Sequence, residues 1–67
     1  DEALTVLEYA IATRTDISAT YYLAASIYQE KGQAEKINHL LLVAETLQSA
    51  MKNAIVRTLK ESYPDIG

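Results

Sequence analysis

The chain has 67 residues, 49% of them hydrophobic and 22% charged, with a formal net charge of −3. That length admits one domain, the apolar content excludes a disordered chain, and the acidic balance argues against nucleic acid and anionic membranes as partners. With no cysteine there is no disulfide, and the single histidine, His39, cannot build a zinc site alone.

A core this small usually needs a staple or a partner. The sequence therefore predicts either association with itself or a partner, or a segment of a longer, repeat-containing protein, and the absence of Met at position 1 fits the second. No apolar run approaches a membrane span and no signal-peptide pattern is present, so the expected setting is cytoplasmic.

In chain order, Asp1 and Glu2 open the first predicted helix, where carboxylates face the positive end of the helix dipole. Leu4, Leu7, Ala10 and Ile11 follow at helical spacing, widened by Ala3 and Val6. The polar stretch 13–16, with two threonines, ends this helix at about residue 13. Asp16 or Ser18 can cap a second helix over about 17–31. Its stripe is Ile17, Tyr21, Ala24, Ala25 and Tyr28, flanked by Leu23 and Ile27, so it is apolar around most of its girth and needs cover on two sides. Gly32 can take the left-handed conformation that closes it.

Beyond Gly32, apolar residues recur from Ile37 through Leu40, Leu41, Ala44, Leu47, Met51, Ala54, Ile55 and Leu59, and neither Gly nor Pro intervenes before Pro64. The spacing predicts one long C-terminal helix over about 33–62, roughly 44 Å. A break near Gln48 and Ser49 is compatible, since Ser could cap a new helix. Pro64 ends the pattern by disfavouring helix at Tyr63. The expectation is all-α: three helices over about 2–13, 17–31 and 33–62, with an antiparallel hairpin turning at Gly32. Leu7, Ala10, Tyr21, Ala25, Tyr28, Ile37, Leu41 and Ala44 are the expected core.

Laid over itself with Ala3 on Ile37, the chain sets Val6 on Leu40, Leu7 on Leu41, Tyr9 on Val43 and Ala10 on Ala44. With Tyr21, Ala25, Tyr28 and Gly32 at their spacing, and Ile37, Leu41 and Ala44 after them, residues 3–47 resemble the tetratricopeptide repeat, a two-helix unit with that same period. Ile37 is larger than the usual Ala, and Ser49 stands where the family has Pro. The resemblance implies an array in which the first helix of a repeat lines a peptide groove. Ala19, Tyr22, Ser26, Gln29 and Glu30 map onto that groove face, without the basic clamp some members use for a peptide carboxylate.

These readings predict a protein–protein interaction module, a scaffold, adaptor or regulatory segment that takes a peptide or helix in a groove or on an apolar helix face. Leu47, Met51, Ala54, Ile55 and Leu59 form the candidate face for a partner or an oligomer. Two alternatives stand beside this. One is a helical homodimer or co-chaperone-like subunit built on residues 40–59. The other is a helix-turn-helix regulator fragment centred on residues 11–22, against which stand Asp16 at the usual glycine position and the lack of Lys or Arg between Ile17 and Glu30. No catalytic residue, metal site or cofactor is predicted: His39 reads as edge packing, the carboxylates Glu8, Asp16, Glu30, Glu35 and Glu45 single out no pair, and no phosphate loop or nucleophile–base arrangement is present.

Overall fold

A computed structural model of the chain describes residues 2–65; Asp1, expected to open the first helix, lies outside them. The described residues form four α-helices and no strand: α1 over Glu2–Ala12, α2 over Ser18–Glu30, α3 over Ile37–Ala44 entered through a 3-10 turn at Ala34–Lys36, and α4 over Ser49–Ser62.

α1 and α2 end in the same way. Beyond α1, the Thr15 N–H donates to the Ala10 carbonyl (3.0 Å) and the Arg14 N–H to that of Ile11 (2.9 Å). Beyond α2, the Gln33 N–H donates to the Tyr28 carbonyl (2.8 Å) and the Gly32 N–H to that of Gln29 (3.2 Å). This is the Schellman pattern, which needs one left-handed residue. Gly32 supplies it with φ 71°, and Arg14 supplies it with φ 56°. A Cβ at Gly32 would meet nothing within 4 Å, so the backbone angle rather than space favours glycine there.

The starts of α2 and α4 differ from expectation. Ile17 and Gln48 occupy the N-cap positions, both extended in ψ (102° and 147°), and neither helix has a side-chain cap bond. Ser18 and Ser49 are instead the first helical residues, and Asp16 lies two residues before α2.

The single helix expected over 33–62 is two helices. α3 stops at Ala44, and residues 45–48 link it to α4. At the break, the Thr46 and Leu47 N–H groups donate to the carbonyls of Val43 and Ala44, three residues back (3.0 Å each), tightening the last turn. The Thr46 hydroxyl donates to the Val43 carbonyl at 2.6 Å, the local bond by which Thr competes with helix continuation. The larger cause is burial. A straight helix would carry Ile55 and Leu59 away from the rest of the chain, whereas the reversal buries both in its core.

α2 is the centre of the packing. It touches α1, the 3-10 turn, α3 and α4; α1 also touches α3, and α3 touches α4, while α1 and α4 do not meet. Each helix thus packs on its neighbour and on its next-but-one. α2 and α4 run in the same direction: Arg14 and Asp16 share a depression with Gln48 and Met51, and Gln29 shares another with Ser62 and Tyr63. The radius of gyration, 10.8 Å, is close to the ~11 Å expected of a globular chain of this length.

Tyr21, Ile37, Leu40, Ile55 and Leu59 are the largest fully buried side chains, and Ala24, Ala25 and Ala44, equally buried, let the helices approach α2 and α3 closely. Of the expected core, Tyr21, Ala25, Tyr28, Ile37 and Ala44 are buried, while Leu7, Ala10 and Leu41 are half-buried at its edge.

Burial does recur along the chain, but not in the register that sets Ala3 on Ile37. There Ala3, Val6 and Tyr9 are exposed, Val6 by 67% and Tyr9 by 73%, while Ile37, Leu40 and Val43 opposite them are buried. A slightly shorter shift, with Leu4 on Ile37, places Leu7, Ala10 and Ile11 on Leu40, Val43 and Ala44, all buried or half-buried. From α2 to α4 the shift is shorter still, setting Thr20, Tyr21, Ala24, Ala25 and Tyr28 on Met51, Lys52, Ile55, Val56 and Leu59, again all buried or half-buried. The link between α3 and α4 is shorter than that between α1 and α2, so the two helices of a pair shift by different amounts.

Candidate interaction surfaces

The two surfaces expected from sequence fare differently. Ala19, Ser26, Gln29 and Glu30 are exposed on α2, and Tyr22 is half-buried against the core, so these five share an outer strip of the helix together with Leu23. The second set is divided. Ile55 and Leu59 point into the chain's own core and are closed to a partner, because α4 folds back on α2 and α3. Leu47 and Met51, half-buried, border a depression of about 340 Å³ with Arg14, Asp16, Thr46 and Gln48, and Ala54 is exposed.

Sequence reasoning missed the groove between α3 and α4. It encloses about 280 Å³ and is lined by Asn38, Leu41, Leu42 and Glu45 on one side and by Val56 and Lys60 on the other. Leu41 and Val56 form a half-buried apolar floor, Leu42 stands 63% exposed on the wall, and Glu45 and Lys60 are exposed at the rim. One signal was available. Four successive apolar residues, Leu40 to Val43, span more than one face of a helix, so a helix packed on one side must show one of them to water. That residue is Leu42.

α3 packs across α1 and α2, leaving a cavity of only about 100 Å³ between Glu8, Ile11, Ala12, Tyr28, His39 and Leu40. Polar ties hold this region. The Tyr28 hydroxyl donates to Glu8 Oε2 at 2.7 Å, and the Lys36 ammonium lies 5.8 Å from the Tyr28 ring centre. Burial, then the hydrogen bond and charge of Glu8, push the Tyr28 phenol up to about 12. The Tyr21 hydroxyl donates to the Thr15 carbonyl (2.9 Å); burial raises its pKa, Arg14 opposes the rise and Asp16 adds to it. The Arg14 guanidinium joins the two interhelix links, donating from Nε to Thr46 Oγ1 (3.2 Å) and from Nη1 to the Ala12 carbonyl (3.0 Å).

His39 is exposed beside the small cavity, and among the described residues no group of three or more His, Cys, Asp or Glu is placed to hold a metal ion. Nor is any described helix long and apolar enough to cross a membrane. The chain matches no family model, no curated protein and no solved structure.

Proposed function

We propose that the chain is a non-catalytic protein–protein interaction module that takes a helix of its partner in the groove between α3 and α4. The observation that carries this reading is the groove itself, an apolar floor of Leu41 and Val56 between rims bearing Glu45 and Lys60. That arrangement suits an amphipathic helix laid apolar side down. The outer strip of α2 with Ala19, Tyr22, Ser26, Gln29 and Glu30 is a second, more polar contact surface in the same reading.

The contact order of the four helices supports a helical repeat of the tetratricopeptide kind. In that frame α1 closes a preceding unit, α2 and the 3-10–α3 segment form a hairpin unit turning at Gly32, and α4 opens the next. Both burial recurrences are slightly shorter than the period of that family. A homodimer built on residues 40–59 has less to recommend it, since Ile55 and Leu59 are already inside the fold.

The test is selection of helical peptides against the chain, followed by backbone chemical-shift mapping. Binders should perturb Asn38, Leu41, Leu42, Glu45, Val56 and Lys60, and Leu42→Glu should weaken them roughly tenfold or more by setting a charge against the apolar face. Binders that map elsewhere, or that ignore Leu42→Glu, would overturn the reading.

A further inference from the structure

The wall and the floor of the α3–α4 groove suit one another. Leu42 stands out from the wall, 63% exposed, beside the recess floored by Leu41 and Val56. An occupant that fills the recess alone leaves Leu42 in water, and one that covers Leu42 alone leaves the recess open. One surface thus carries a projecting apolar side chain and an apolar recess side by side.

The charges repeat this pattern. α4 reverses on α3 through residues 45–48, so Glu45 lies at the link end of the groove. Lys60, in the last turn of α4, lies toward the far end, where Asn38 stands in the first turn of α3. Glu45 and Lys60 are exposed, and neither side chain has an ion-pair or hydrogen-bond partner among the described residues. A two-fold axis through the middle of the groove would bring Glu45 of one copy to Lys60 and Asn38 of another, twice over, while each Leu42 entered the other copy's recess. Such a patch is its own complement, which is the condition for an isologous interface.

We infer that a second copy of this chain occupies the groove, placing the outer edge of its α3, with Leu42, between α3 and α4 and receiving the same in return. This rests on the interaction-module reading and names the partner and the helix it presents. The pairing leaves Ile55 and Leu59 inside each core, unlike a dimer built on the stripe from Leu47 to Leu59. With six lining residues on each copy, the contact belongs with small, transient interfaces, below about 1,200 Å² in total. Burial of Leu42 drives it, and the exposed charge pairs set its orientation more than its strength.

The test is sedimentation equilibrium of the chain, with backbone chemical shifts, from about 10 μM to about 1 mM. A monomer–dimer equilibrium is expected, with dilution shifts centred on Leu41, Leu42, Glu45, Val56 and Lys60. Leu42→Glu should weaken the dimer roughly tenfold or more. Leu23→Glu, equally on an exposed leucine but on the outer strip of α2, is the control and should leave it unchanged. Glu45→Lys and Lys60→Glu should each weaken the dimer several-fold, and an equimolar mixture of the two variants should recover it, because each copy then meets the opposite charge at both ends. Recovery in the double variant of one chain but not in the mixture would place the pair within one molecule and overturn the two-fold geometry. A chain that is monomeric at about 1 mM, or a dimer that Leu42→Glu leaves intact, would overturn the inference. If that monomer takes helical peptides in the groove, the interaction-module reading stands and the occupant is another helix, of a different protein or of a longer form of this chain. If it takes none, both fail.

Discussion

In the α1–α2 pair a third helix covers the groove, and two tyrosines close the seam with hydrogen bonds to Thr15 and Glu8. In the α3–α4 pair nothing among the described residues covers the groove, and the positions of Tyr21 and Tyr28 are taken by Lys52 and Leu59. The difference follows from water. Under a covering helix a large ring fills space and its hydroxyl must find a partner. At the open pair the half-buried Lys52 can keep its ammonium in solvent, and Leu59, buried against neighbouring helices, has no polar group to satisfy. Among the described residues one pair is covered by a third helix, and the other presents an open groove.

The largest effect is expected where the open pair depends on one apolar anchor. Leu59→Ala should cost roughly 2–5 kcal/mol in urea denaturation, as for other buried leucines. A loss below about 1 kcal/mol would mean that α4 is not seated on α2 and α3. At the covered pair, Tyr28→Phe should cost about 1.5 kcal/mol, since the bond lost is to a carboxylate but Glu8 itself remains in water.

The same residue sets a pH signature. Because the fold raises the Tyr28 phenol from 10.0 to about 12, it favours the neutral form. That stabilisation is complete below pH 10 and is lost as pH rises toward 12. Denaturation midpoints measured across this window should fall for the parent chain and fall less for Tyr28→Phe; Tyr21, also raised, keeps part of the slope.

Smaller effects belong to the two helix ends. Gly32→Ala should cost about 1 kcal/mol, for a Cβ at positive φ. Arg14→Gly should change stability by less than about 0.5 kcal/mol, because relief of the backbone offsets the lost guanidinium bonds. A double-mutant cycle with Thr46→Val separates these terms, and additive behaviour would remove the Arg14–Thr46 bond from the account.

These two ends also mark what was legible. Gly32 announces a left-handed turn by its residue type, whereas Arg14 adopts the same turn without a glycine to signal it, and only the polarity of residues 13–16 places the end of α1. The break after Ala44 was obscured because apolar spacing runs through it in helical phase, from Leu41 and Ala44 to Leu47 and Met51. Periodicity reports which face of a helix is apolar, not whether that face bends back on its own chain. Setting Ala3 on Ile37 reads Val6 and Tyr9 together with Leu4 and Leu7 as one widened apolar stripe, yet both are exposed, and residue type alone does not tell the inward positions from the outward ones.

The sequence by itself determined the all-helical class, the near-complete apolar girth of α2, its end at Gly32 and most of the buried side of α2 and α3. Each of these depends on local spacing or on one residue's backbone freedom. The tertiary structure decided the reversal at residues 45–48, the withdrawal of Ile55 and Leu59 from the surface, and the groove between α3 and α4. Those depend on which helix reaches which face, a competition among burial options that is resolved only when all four helices pack around α2.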